Sequence, residues 1–254
     1  MACGAPLKVP LPSPLKRIAR HALLGIRRDP ATGHLYFPVD GRRVFLRFVE
    51  EAPREAHRRL WFDSVYFKHY LPAGSDCVVD IGAGLGIEAA MLAARSPGIR
   101  YIANEIQPWV YECLSLTFAG LPAGYQAFGF AIGDSPVGIT PTRHGLDAAV
   151  SDSGPVRVQN VTWPEFKRLF AIDRVDLLKI NVEGAEVALL EHIDLDDVAR
   201  IAVAAHDFRA ERGDGEQFRT RARVMAILEG AGFAVRPLPH DWLFAERPAA
   251  GSTR

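Results

Sequence analysis

Two carboxylates and three glycines in this chain have the types and spacing of a nucleoside-binding turn. Asp80 precedes Gly82, Gly84 and Gly86, and Glu105 stands 25 residues after Asp80. Glycines at alternate positions let the backbone come close to a ligand. A dinucleotide site has the pattern GxGxxG, whose third glycine permits close helix packing and whose helix faces a pyrophosphate. Ile87 occupies that third place here. An acid followed by GxGxG suits a cofactor without a pyrophosphate. S-adenosylmethionine carries an ammonium and a sulfonium, and a carboxylate favours positive charge. A carboxylate at Glu105 can accept from both ribose hydroxyls.

These residues need elements to place them. Cys77–Ile81 is an apolar run of β-formers and reads as a buried parallel strand. Residues 87–95 read as a helix with Ile87, Ala90, Met91 and Ala94 on one face. The acid and glycines therefore fall at a strand-to-helix junction, where ligands bind in open α/β sheets. A second strand spans 100–105. The next helix starts near Pro108, with Val110, Leu114 and Phe118 inward. A third strand spans 125–132 and closes at Gly133-Asp134, so that Ile106, Ile132 and Asp134 fall beside the expected nucleoside. Residues 135–160 form a long connection with a β pair near 138–140 and 156–158. A helix over 163–170, a strand over 175–181 and a helix over 185–192 follow. Then come a strand over 201–205 ending at His206-Asp207, a helix over 218–231, and strands over 233–236 and 242–245. The alternation describes an α/β, doubly wound, mostly parallel sheet with an antiparallel end.

The N-terminal part is different. Residues 1–28 contain six Lys and Arg and no acid. A helix over 15–26 would put Ile18, Ala22, Leu23 and Ile26 on one face. It could lie on an anionic membrane surface or dock on the domain with its charges solvated. The short apolar face favours docking. Residues 34–48 read as a hairpin around Asp40-Gly41, a type I′ turn signal, with Pro38 marking an edge strand. Residues 54–70 read as a helix with Leu60, Trp61 and Val65 inward. The expected organisation is an extension at 1–50, a core domain at 51–248 and a tail at 249–254.

Composition sets bounds. The chain has 254 residues, 48% of them apolar, with 30 acids against 30 bases. That balance argues against nucleic acid as partner. No apolar run reaches membrane-spanning length, and no signal peptide is recognisable at the N-terminus. Cys3, Cys77 and Cys113 form no CxxC pair, which fits a reducing cytoplasm.

Three strings then point to a family. Val78 to Gly86, Ala131-Ile132-Gly133-Asp134 and above all Asp176 to Glu186 (DLLKINVEGAE) resemble the FkbM-type S-adenosylmethionine-dependent methyltransferases. The resemblance covers about residues 54–208. It implies a class I methyltransferase fold, a Rossmann-like seven-stranded sheet whose seventh strand is antiparallel. It also implies methylation of hydroxyls of sugars, glycans or polyketide-type natural products. The chain departs from the family at Asn181, where Asp is usual, and at Ala204, where Glu is common.

On that reading the cofactor residues are Asp80, Gly82, Ala83, Gly84, Gly86, Glu105, Ile106, Ile132, Asp134 and Asn181. The catalytic candidates are His206, Asn181 and Glu183. His206 ends the fifth strand and its ordinary pKa suits a general base. Asn181 could orient the acceptor or meet the cofactor's ammonium. Glu183 follows in the turn, and Glu186 reads as a helix-start charge. A Mg²⁺ held by Asn181, His206 and Asp207 is the metal alternative, but hard cations gather more carboxylates, and no metal is expected. Trp61, Tyr66, Arg143, His144 and Trp242 could wall an acceptor pocket. Two rival classes are an NAD(P)-dependent oxidoreductase, which lacks its Tyr-x-x-x-Lys pair here, and a non-catalytic member of the fold.

Overall fold

A computed structural model describes residues 13–135, 137–141, 148–151 and 154–248. Cys3, Arg143, His144 and the 249–254 tail lie outside these residues. Among the described residues the main sheet has seven strands: β1 (Cys77–Ile81), β2 (Arg100–Asn104), β3 (Tyr125–Phe128), β4 (Leu177–Ile180), β5 (Arg200–Ala204), β6 (Ala234–Pro237) and β7 (Trp242–Glu246). Their spatial order is β6-β7-β5-β4-β1-β2-β3. Strands β1 to β5 pair in parallel, and β7 lies antiparallel between β5 and β6. This is the class I methyltransferase order. The chain winds one way from β1 to β3 and the other from β4, so a crevice opens between the carboxyl ends of β1 and β4.

Each face of the sheet has its own core, as strand alternation requires. Val78, Leu177, Ala202 and Phe244 face the helices Ile87–Arg95 and Pro108–Phe118 and the N-terminal hairpin. Val79, Leu178, Ile201 and Leu243 face the helices Trp163–Leu169, Glu186–His192 and Arg221–Gly230. Hairpin residues Phe37, Val44 and Leu46 belong to the first of these cores.

One charged pair sits inside the first core. Lys179 and Asp80 stand opposite each other in the register of β4 and β1, and both are buried. Lys179 Nζ donates to Asp80 Oδ1 at 2.8 Å, and the Tyr101 hydroxyl on β2 donates to Asp80 Oδ2 at 2.6 Å. Burial alone would lower the lysine's pKa, but the charges of Asp80 and Glu88 outweigh it and raise it. The ammonium also lies 5.0 Å from the centre of the Tyr66 ring and 5.9 Å from that of Trp242.

Several local expectations are corrected. The third strand stops at Phe128, and Ala131–Ile132 leaves the sheet to pair in parallel with Asn160–Val161. The cause lies at the end of β2, where the Asn104 amide donates to the Phe130 carbonyl and draws the chain inward. Ala94 is exposed, whereas Ala89 to Ala93 are all buried, because the hairpin covers the outer side of that helix. The 54–70 helix is α-helical only over Glu55–Trp61. Phe62–Tyr66 is a π turn, in which the Phe67 amide reaches back to the Phe62 carbonyl. The wider turn rotates the inward face, so Phe62 and Val65 are buried and Leu60 is exposed. Pro38 lies in a strand with neighbours on both sides, but one neighbour is the two-residue strand Arg27–Arg28, which pairs only at Leu35 and Tyr36. Pro38 therefore costs no ladder bond on that side. The helix expected from 218 begins at Arg221, after a 3₁₀ turn at Glu216–Phe218. A short helix, Asp207–Glu211, follows β5.

The N-terminal helix Ser13–Leu23 is oriented against expectation. Ile18 and Leu23 are 65% and 73% exposed, and Ile26 beyond the helix is what packs inward. Arg20 docks instead, donating to the carbonyls of Val49 at 3.2 Å and Ala52 at 2.6 Å.

Removing one partner of a buried pair leaves the other charge uncompensated. Lys179→Met should therefore lower the unfolding free energy by about 3–5 kcal/mol in urea titrations. Adding Asp80→Asn should recover part of it. A loss below about 1 kcal/mol would show that the pair is not what holds β1 to β4.

Candidate active site

The glycine turn is wedged between two strand ends. The amides of Gly82 and Ala83 donate to the Asn104 carbonyl at 3.1 and 2.8 Å. A Cβ on Gly82 would lie 2.0 Å from the carbonyl oxygen of Asn181, so no other residue fits between β1 and β4 there. A Cβ on Gly86 would meet Phe118 and Leu114 at 2.8 and 2.9 Å. Gly86 thus provides the close helix packing that the third glycine of a dinucleotide pattern gives elsewhere. Gly84, also at positive φ, has nothing within 4 Å of a Cβ, and its amide donates to Glu105 Oε2 at 3.2 Å.

A cavity of about 280 Å³ lies over these ends. Six of the residues expected around a cofactor line it: Gly82, Glu105, Ile106, Ile132, Asp134 and Asn181. Ile106 and Ile132 form apolar wall. Asp134 is at the rim, 3.5 Å from His192. Glu105 is buried, with Oε1 accepting from the Gln107 amide at 2.9 Å. Burial pushes its pKa up to about 7, although three backbone amides oppose this.

Four expected cofactor residues do not line the cavity. Asp80 points to the other face of the sheet and is taken by Lys179 and Tyr101. Ala83 and Gly86 are buried in the turn. Gly84 reaches the cavity only through its bond to Glu105.

A second cavity, about 480 Å³, adjoins the first and shares Asn181 and Glu183 with it. Its walls are aromatic. Trp61 stacks on His240 with ring centres 4.8 Å apart, and Tyr66 meets Trp242 edge-on at 4.8 Å. The π turn supplies one of these rings, Tyr66, and the last residue of the α-helix before it, Trp61, supplies another, while Phe62 and Val65 enter the core.

His206 stands at its floor between two carboxylates. Nδ1 faces Glu186 Oε1, and Nε2 lies 3.2 Å from Glu183 Oε1. Burial alone would lower its pKa, but Glu183 and Glu186 push it up to about 9. His206 is thus an imidazolium at neutral pH with both nitrogens engaged, and the free base expected from the sequence does not fit this geometry. Glu183 itself sits at φ 50°, a left-handed backbone that strains a glutamate. Burial would raise its pKa, but His206 and Arg209, whose Nη1 donates to Oε2 at 2.8 Å, lower it.

Two roles here went beyond the sequence reading. Glu186 opens its helix as expected, but it does more than that. It is fully buried, accepts from the Gly184 amide at 2.9 Å and holds His206. Arg209, one turn after His206 on the Asp207–Glu211 helix, carried no signal beyond that spacing. The trio Asn181, His206 and Asp207 is not assembled, because Asp207 Oδ1 accepts from the Arg221 amide at 2.9 Å. Among the described residues no three His, Cys, Asp or Glu side chains are grouped to hold a metal. Nor is any described helix long and apolar enough to cross a membrane.

The residues present fit S-adenosylmethionine. A buried carboxylate able to take ribose hydroxyls and apolar walls for a flat base lie in one cavity at the β1/β4 crevice, beside the glycine at position 82. Fold and site define an S-adenosylmethionine-dependent methyltransferase of class I. The chain belongs to the FkbM methyltransferase family, whose domain model, described as "Methyltransferase FkbM domain", matches residues 61–235. It is also similar to methyltransferase sdnD of Sordaria araneosa, at 23% identity over 226 residues, covering 73% of this chain and 84% of that one. Among solved structures, Aeropyrum pernix fibrillarin, crystallised with natively bound S-adenosyl-L-methionine, is similar at 13% identity and a TM-score of 0.45. That match covers 87% of this chain and 96% of the other.

A ribose diol needs Glu105 ionised, and its proton must leave before the cofactor binds. Calorimetric affinity for S-adenosylmethionine should fall below pH 7, approaching about tenfold per pH unit. Glu105→Gln should bind more weakly at pH 8 and lose this dependence. An affinity that stays flat from pH 8 down to about 5.5 in the unmodified protein would contradict the placement.

Proposed function

We propose that this enzyme transfers a methyl group to a hydroxyl of a sugar, glycan or polyketide-type natural product in the cytoplasm. The observation that carries the reading is the junction of the two cavities at Asn181 and Glu183. The first cavity takes the donor. The second offers aromatic faces to a ring-bearing acceptor and a carboxylate to its hydroxyl. Cys77 and Cys113, both free and buried, agree with a reducing compartment. Residues 51–248 act as the transferase domain and 1–50 as its extension.

S-adenosylmethionine supplies a methyl group made electrophilic by its sulfonium. The chain's part is to place the acceptor oxygen in line with that carbon and to remove the hydroxyl proton. Glu183 would accept the hydroxyl's hydrogen bond and take its proton as the O–C bond forms and the S–C bond breaks, the sulfur leaving as a neutral thioether. Asn181, with a donor and an acceptor on one amide, fixes the oxygen's direction. His206 and Arg209 do not accept protons. Their positive charges hold Glu183 in its strained position. Glu105, Ile106, Ile132 and Asp134 hold the nucleoside, and Gly82, Ala83, Gly84 and Gly86 shape the turn beneath it. Asp80 acts through Lys179 rather than by touching the cofactor.

This assignment separates from a histidine base by pH. With saturating donor, kcat/KM for the acceptor should stay flat between about pH 6 and 8, because Glu183 is already ionised there. A base at His206, with its pKa near 9, would instead give a rise of about tenfold per unit over that range. Glu183→Gln should lower kcat about a hundredfold or more and leave donor affinity nearly unchanged. A rising profile, or a Glu183→Gln variant of full kcat, would overturn the assignment.

A further inference from the structure

The transfer reaction does not account for the N-terminal extension. Residues 1–48 hold nine Lys and Arg and two Asp, in a chain whose formal net charge is zero. The basic excess is therefore confined to one end, and the remainder is acidic. Such asymmetry points to an anionic partner surface.

Over residues 18–23 of the helix Ser13–Leu23 every residue but Arg20 is exposed, so none of its apolar residues there is docked on the domain. Arg20 holds it to the body, with Nε on the Val49 carbonyl at 3.2 Å and Nη2 on those of Glu50 and Ala52 at 3.0 and 2.6 Å. Ile18 and Ala22, and likewise Ala19 and Leu23, are one helical turn apart, and all four are exposed. Phe48, beside the carbonyls that hold Arg20, is 43% exposed. Arg27, Arg28 and Arg47 on the same extension are exposed too. A single exposed aliphatic residue needs no explanation. An outward apolar helix face within the only strongly basic part of the chain does.

We infer that this extension seats the enzyme on an anionic lipid bilayer surface. Ile18, Leu23 and Phe48 enter the headgroup–acyl boundary, and Arg27, Arg28 and Arg47 meet the lipid phosphates. One apolar signal and one basic signal together give stable but reversible attachment, which neither gives alone. A nucleic acid would use the charge and leave the aliphatic face in water, so the bilayer fits both observations and the polyanion only one.

Cosedimentation of the full chain with vesicles tests this. Phosphatidylcholine vesicles with about 30% phosphatidylglycerol should bind at least tenfold more tightly than phosphatidylcholine alone, and added salt should weaken the binding. The pair Ile18→Ser with Leu23→Ser, and separately Arg27→Gln with Arg28→Gln, should each weaken it about tenfold. Calorimetric affinity for S-adenosylmethionine should be unchanged in both variants, which confirms their fold and keeps this test independent of the proposed reaction. Equal binding to the two vesicle types, or Ser variants that bind as tightly as the unmodified chain, would overturn the inference. So would a nucleic-acid duplex bound as tightly as the anionic vesicles. A dimer that the Ser variants dissociate, with no vesicle binding, would assign the face to a second copy of the chain and overturn it equally.

Discussion

Lys179 and Asp80 face each other across two adjacent parallel strands, in a place that water does not reach. A charge left alone there would cost several kcal/mol, so each residue dictates the other. Their pairing fixes the register of β4 on β1, and the Tyr101 hydroxyl extends the hold to β2. Register is what brings the three functional strand ends to one height. Slip β4 by one residue and Lys179 would point into the apolar core on the opposite face.

The site follows from that alignment. With β1 and β4 level, the Asn181 carbonyl comes so close to the turn that only glycine fits at position 82. The crevice then opens as two cavities with a shared wall at Asn181 and Glu183. The same lysine lies beneath the rings of Tyr66 and Trp242, so the pair supports the floor of the second cavity as well as the frame of the first. Further out, His206 and Arg209 concentrate positive charge on Glu183 and keep it ionised at the wall the two cavities share.

Much of this was legible in the chain, for local reasons. The β-formers around Asp80 and the alternate glycines fix a strand, a turn and a helix start without distant help. The alternation of apolar runs does the same for the sheet, and Glu105 falls where a strand-end acid should. What was illegible depends on partners far away in sequence. Asp80 looked like a cofactor ligand because nothing near it discloses Lys179, 99 residues on. Glu186 was readable as a helix-start charge but not as the partner of His206, which lies 20 residues later and arrives only with β5. For the same reason the ordinary pKa of histidine was a poor guide to His206. The π turn at Phe62–Tyr66 shifted an inward face that periodicity alone had placed one residue away.

The most direct test is a crystal structure with bound S-adenosylhomocysteine, which marks where the donor's sulfur lies. The sulfur is expected at the shared wall between Asn181 and Glu183, facing the cavity walled by Trp61, Tyr66 and Trp242, with the ribose on Glu105. A nucleoside bound outside the β1/β4 crevice, or a sulfur turned away from the aromatic cavity, would contradict this assignment of donor and acceptor sites.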